Sequence, residues 1–194
     1  MPAQFGAPAK VAITENDNKI LIQILSYDSS GKLTNIVSNT LKQNIANYLS
    51  NYRMMNDYIS ILTAEVIDLS VDISIVLDSA QNSGQVISQV IDVISAYFNP
   101  QSRQLGQNVY LSEIRSLVQN LNGVLTVASL NVFNEVGGQY SSAQTSMEYI
   151  DPVTKEIGAV DDTIFAQPSQ VYQIRYPNKD IRVSVKNFQN VTFS

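Results

Sequence analysis

Residues 67–77 constrain the fold most, because apolar side chains alternate there with Asp68, Ser70, Asp72 and Ser74. Successive side chains of a β-strand point to opposite faces of the sheet, so a period of two predicts a strand with one buried face. The apolar positions are Ile67, Leu69, Val71, Ile73, Ile75 and Leu77. We expect them to form one face of a central strand, packed under a helix that carries Val86, Val90 and Ile94.

The segments on either side predict a further strand and three helices. Residues 20–25 are apolar on both faces, which indicates a buried strand, and the turn formers at 28–31 end it. Apolar stripes at helical spacing indicate the helices. These run from Thr34 or Asn35 to Ser50, from Asn82 or Ser83 to Asn99-Pro100, and from a Ser112 cap to Gly123.

The order of the elements predicts an α+β fold, with a mixed sheet and helices packed on one of its faces. A short strand at 109–111 precedes the third helix, and a strand at 124–133 follows it with an irregularity near Ala128-Ser129. After residue 134 the composition becomes polar and rich in β-formers, which indicates a β-rich C-terminal region.

We therefore divide the chain into three parts: an extended N-terminal arm at 1–19, an α+β core at 20–134, and the C-terminal region at 135–194. Within the last part, alternating apolar residues flank the turn sequence Pro-Asn-Lys-Asp. This arrangement predicts a hairpin over 171–187.

The composition excludes several classes of function. The chain has no Cys and no His, which removes thiolate nucleophiles and the usual general base and transition-metal ligands. Its net charge is -5 with scattered basic residues, whereas nucleic-acid binding needs clustered Lys and Arg. It lacks both a signal-peptide pattern and an apolar run of about 18 residues. We expect a soluble chain outside the secretory route, with no metal, no cofactor, no nucleic acid and no membrane partner.

Two acidic positions could suggest a site. Asp68 and Asp72 lie on one face of the predicted strand, but strand geometry separates them by about 13 Å, too far for one shared cation. We interpret both as part of a solvated sheet face. Asp161-Asp162 is interpreted as a turn or a helix start, and Gly137-Gly138 as the start of a polar loop without a phosphate-binding lysine.

Aromatic side chains are frequent after residue 135, where helical core signals are few. Tyrosine combines apolar area with a polar tip and is enriched at protein interfaces. We predict that four of these rings contribute to a contact between subunits: Tyr149, Phe165, Tyr172 and Tyr176.

Two passages resemble the baseplate J-like proteins. NYLSNYRMMNDYISILTAEVIDLSVDISIVLD has a helix, a Tyr-Arg-x-x-x-Asp hinge and an alternating strand. ISAYFNPQSRQLGQNVYLSEIRSLVQNLNGVLTV has the Phe-x-Pro, the Leu-Gly, the Val-Tyr-x-Ser-Glu-Ile helix start and the Gly-Val before a strand. The resemblance covers about residues 20–133, and RYPNKDIRVSV is similar too. It is greatest to the C-terminal part of baseplate wedge proteins from T4-like contractile-tailed bacteriophages.

The resemblance implies a structural protein of the virion, without an active site or cofactor. It implies a tail baseplate wedge component, assembled in the host cytoplasm, that pairs with itself as a homodimer and joins other wedge proteins into the ring around the tail hub. Two alternatives stay open. A tail-associated glycan-cleaving enzyme would need two carboxyls flanking a cleft, and a receptor-binding module would favour a repetitive or all-β chain.

Overall fold

The computed structural model describes residues 7–16, 19–52, 58–78, 82–145 and 150–186. These residues form ten strands and four helices in mixed and antiparallel sheets, which confirms the predicted α+β class. The chain divides into two compact units. Unit 1 holds the residues up to Val66 together with 103–107 and 166–171, and unit 2 holds 67–102, 108–165 and the residues from Tyr172 onward.

Unit 1 is built on a small sheet covered by one helix. Its central strand, β2 (Lys19–Tyr27), pairs antiparallel with β1 (Lys10–Asn16) and β3 (Leu33–Thr34), and parallel with β4 (Tyr58–Thr63). The predicted strand at 20–25 is confirmed. Part of the predicted arm is not a free arm, because residues 10–16 belong to the sheet.

Helix α1 (Asn39–Ser50) covers one face of this sheet, where Ile45 packs with Ile22 and Ile24 of β2. The helix begins later than the predicted Thr34 or Asn35 because Ser38 is the N-cap and accepts the Leu41 N–H at 3.2 Å. A second cluster in unit 1 combines Leu25, Leu33, Ala64, Val66 and Val171.

Unit 2 contains a sheet whose middle strand is β5 (Glu65–Leu77). It pairs antiparallel with β7 (Val124–Glu135) and parallel with β10 (Ile181–Lys186), and β9 (Gln170–Gln173) pairs with it as well. The predicted irregularity in β7 is confirmed, since Ser129 and Val127 face consecutive residues of β5 and Ala128 is the extra residue.

Two helices pack on this sheet. Helix α2 (Ser83–Tyr97), capped by Asn82, contacts β10, and α3 (Leu111–Gln119) contacts β7 and α2, so the pair covers the middle strand between them. The predicted Ser112 cap is wrong: β6 (Val109–Tyr110) passes directly into α3, and Tyr110 is the N-cap without a side-chain bond. Strand β8 (Thr163–Ile164) pairs with β6.

The predicted hairpin over 171–187 is wrong in its pairing. Its two strands form as β9 and β10, but each pairs with β5 and not with the other. The chain between them includes the one-turn helix α4 (Pro177–Asp180), with Pro177 at its first position. A tight reversal would have made β10 antiparallel to β9, whereas this connection delivers it parallel to β5.

We expect substitution of the buried face of β5 to unfold unit 2. Leu69 is 0% exposed and Ile73 is 2% exposed. Leu69→Asp or Ile73→Asp removes about 2 kcal/mol of apolar burial and adds an unpaired buried carboxylate, so we expect the cooperative melting transition to be lost. Circular dichroism melting measures this. Val153→Asp is the control, because Val153 is 86% exposed, and a wild-type transition in Leu69→Asp would contradict the burial of this face.

Candidate interaction surfaces

The two acidic residues singled out from the sequence, Asp68 and Asp72, lie in different environments. In the part of the chain that the structure describes, no group of three or more Asp and Glu side chains could hold a metal ion. The expectation of a solvated face holding both Asp68 and Asp72 is wrong for Asp68, which is 0% exposed. Asp72 is exposed and forms an ion pair with Arg182.

The buried Asp68 carboxylate holds two segments of unit 2 against β5. One oxygen accepts the backbone N–H of Ser141 at 2.6 Å, and the other accepts the side-chain amide of Gln173 at 2.8 Å. Burial raises the pKa of Asp68 above its ordinary value of 3.8, and these two hydrogen bonds oppose that effect. Because Asp68 is enclosed and both of its oxygens are occupied, it cannot reach a substrate.

A second buried carboxylate, Asp180, binds Tyr140, the residue before Ser141. It accepts the Tyr140 hydroxyl at 2.6 Å and the backbone N–H of Tyr176 at 2.8 Å. The Tyr140 and Tyr176 rings contact edge to face at 5.7 Å. Burial and the bond to Asp180 raise the pKa of Tyr140 above its ordinary value. The polar loop predicted from Gly137-Gly138 is therefore anchored to β5 by Asp68 and to α4 by Asp180.

The four aromatic residues predicted to form a subunit contact have different environments. Tyr172 is 0% exposed, and its hydroxyl bonds to Thr145 and to the Phe165 carbonyl, so it is a core residue and that prediction is wrong. Phe165 and Tyr176 are exposed and remain candidates. Tyr149 lies outside the described residues.

The outer edge of β7 is occupied along two stretches. Near its end, the Ile157 N–H donates to the Val132 carbonyl and the Asn134 N–H donates to the Lys155 carbonyl, which joins β7 to residues 155–157. Further back, the Gln119 side chain donates to the Leu125 carbonyl at 2.8 Å and accepts the Val127 N–H at 3.3 Å. The amide of Gln119 thus takes the place of a peptide group on a neighbouring strand.

One uncovered apolar surface of unit 1 lies beside α1. Val11 and Ile13 of β1 are 47% and 68% exposed, although they stand directly opposite Ile24 and Ile22 of β2. With α1 they line a groove of about 260 Å³ whose walls are nearly all apolar. Sequence reasoning missed this surface, yet the alternation in Lys10–Asn16 was a visible signal for it.

No family model and no curated protein matches the sequence. A chain in the cryo-EM structure of the anti-feeding prophage (AFP) baseplate, six-fold symmetrised, aligns with 87% of this chain at a TM-score of 0.55 and 12% identity. The present chain spans 34% of the length of that chain. At this identity the similarity shows a shared fold. None of the described helices has both the length and the apolar character to cross a membrane.

We expect the charge of Asp68 to be dispensable and its two hydrogen bonds to be essential. In Asp68→Asn, the Asn carbonyl can accept from Ser141 while its amide donates to the Gln173 oxygen after that side chain rotates. We expect this variant to stay within about 1 kcal/mol of wild type, and Asp68→Leu to lose about 3 kcal/mol because two donors lose their acceptor. Denaturant unfolding at neutral pH measures both.

The pH dependence of the stability difference between wild type and Asp68→Asn follows from the raised pKa of Asp68. A carboxyl that is harder to ionise in the folded state destabilises the fold above its folded pKa, and this penalty disappears as the pH falls toward 3.8. The stability of wild type relative to Asp68→Asn should therefore rise as the pH is lowered through that window. A stability difference that moved in the opposite direction would contradict the burial of an ionised Asp68.

We expect Gln119→Leu to open the β7 edge. The substitution removes both hydrogen bonds, which should cost about 1 kcal/mol, and leaves the Leu125 carbonyl and Val127 N–H for water or another strand. Thermal melting and light scattering at high concentration measure the two effects. Ser116→Leu is the control, because it introduces the same apolar side chain at another exposed position of α3. Equal melting temperatures and equal light scattering in the two variants would show that the Gln119 amide does not protect the β7 edge.

Proposed function

We propose that this chain is a structural component of a phage tail baseplate, acting within the wedge to join neighbouring subunits into the ring around the tail hub. The observation that carries the proposal is the fold shared with a chain of the anti-feeding prophage baseplate over 87% of the present sequence. The proposed partners are other baseplate wedge proteins and a second copy of the chain, and the proposed location is the tail of the virion.

The surfaces of the two units support an assembly role. Unit 1 has the apolar groove beside α1, and unit 2 has exposed apolar side chains including Phe165 and Val153. Exposed apolar area of this kind is a common property of surfaces that bind other proteins.

Asp68 and Asp72, the acidic pair singled out from the sequence, give no support to the competing enzyme. Glycan cleavage needs a protonated carboxyl that can reach the scissile bond, opposite a second carboxyl. Asp68 has the raised pKa but is enclosed, and Asp72 is exposed but paired with Arg182. We therefore propose that the chain is not an enzyme.

The proposal is tested by deleting the coding sequence from the strain that produces the particle. We expect electron micrographs of lysates to lose complete sheathed tails, and a wild-type copy in trans to restore them. Labelled antibody should bind at the end of the tail that carries the baseplate. Normal numbers of sheathed tails without the chain would refute the proposal.

The same lysates separate the alternatives. Tails that assemble fully but no longer adsorb to cells would indicate a receptor-binding module. Release of soluble fragments from purified peptidoglycan by the isolated chain would indicate the enzyme. Both outcomes contradict a purely structural role.

A further inference from the structure

Among the residues that the structure describes, strand β1 is an edge of the unit 1 sheet, and its centre at Val11 and Ile13 is apolar and exposed, although Lys10 and Glu15 lie at its two ends. It pairs with β2 on one side, in an unbroken register from Lys10 opposite Leu25 to Asn16 opposite Lys19. No bulge interrupts this pairing. A regular, apolar edge strand is the element most able to pair with another chain.

The four-stranded sheet of unit 2 contrasts with β1. The β7 edge has register irregularities around Leu125 and Ala128, and it is occupied by Gln119 and by residues 155–157. Strand β10 places Arg182 and Lys186 at exposed positions of its edge, and charged side chains discourage strand addition.

Strand β4, the opposite edge of the unit 1 sheet, differs from β1 in its coverage by α1. Its Ile59 and Ile61 are half-buried and pack with the cluster under the helix. The corresponding aliphatic pair on β1, Val11 and Ile13, is mostly uncovered. Apolar surface and an open edge therefore coincide at β1.

The sequence of β1 is complementary to itself when two copies run antiparallel. A two-fold axis normal to the sheet and passing beside Ala12 places Val11 opposite the partner's Ile13, and Ile13 opposite the partner's Val11. In this register Lys10 faces a threonine and Glu15 faces an alanine, so no charge faces a like charge. The small Ala12 side chain lies at the axis, opposite Ala12 of the second copy.

We infer that a second copy of this chain adds its own β1 to this edge, making one continuous sheet across the two copies. The aliphatic block of Val11, Ile13, Ile22 and Ile24 then continues from one copy into the other. The inference rests on the proposed function for its partner, a second copy of the chain, and on the geometry of unit 1 for the contact surface. Two seven-residue strands bury less than the about 1,200 Å² of a typical stable interface, so the isolated pair is weak.

The test introduces charged side chains at Val11 and Ile13, the two positions that face each other across the two-fold axis. In Val11→Lys/Ile13→Lys the two symmetry-related pairs between positions 11 and 13 become like-charge pairs, and we expect the dimer dissociation constant to rise at least about tenfold. In Val11→Lys/Ile13→Glu each lysine faces the partner's glutamate, and dimerisation should return. Sedimentation velocity of the full chain, from low micromolar to high micromolar concentration, measures both, and circular dichroism melting checks that each variant folds.

Leu62→Lys on β4 is the matched control, because Leu62 is 46% exposed against 47% for Val11. We expect it to dimerise like wild type. The inference is overturned if the wild type is monomeric throughout, if the two double variants behave alike, or if only the Leu62 variant loses the dimer. A dimer that survives every β1 charge change places the contact elsewhere, for example at Phe165 or Tyr176.

Discussion

The arrangement of unit 2 depends on β5, because β7, β9 and β10 all pair with this strand. β7 pairs along one edge, while β9 and β10 both pair with β5 after long excursions of the chain. Its apolar face is buried almost without exception under α2 and α3. Apolar burial of this kind is the main favourable term in folding. The order and register of the surrounding strands then follow, because the backbone groups on both edges of β5 need hydrogen-bond partners.

Asp68 shows how a polar residue can sit inside such a strand. A buried carboxylate is costly unless its oxygens are hydrogen-bonded. Here the backbone N–H of Ser141 and the amide of Gln173 satisfy it, and they come from segments that are distant in sequence. Alternative placements of the loop would leave Asp68 unsatisfied, so the acid favours one conformation of the loop even though its charge does not add stability.

The pattern of β5, the three helices and the irregularity at Ala128 could be predicted, because they depend on local periodicity and on turn residues. The environment of Asp68 could not, since an alternating aspartate has the same pattern whether it faces water or a folded loop. The pairing of β9 and β10 was missed for a related reason: apolar alternation on both sides of a turn describes a hairpin and a parallel crossover equally well. Tyr172 was assigned to an interface because sequence does not show which aromatic residues the chain's own loops enclose.

The edges of the sheets contain the clearest information about association. The amide of Gln119, on α3, reproduces the hydrogen bonds of a missing strand along β7. Such a contact has no signature in periodicity, because the residue on α3 is exposed and polar like its neighbours. The sheet of unit 1 is different, since α1 covers the β4 side and leaves Val11 and Ile13 of β1 uncovered. A chain that closes its β7 edge with a side chain and leaves its apolar β1 edge open has an unequal tendency to pair at its two four-stranded sheets. That inequality can direct assembly to one surface.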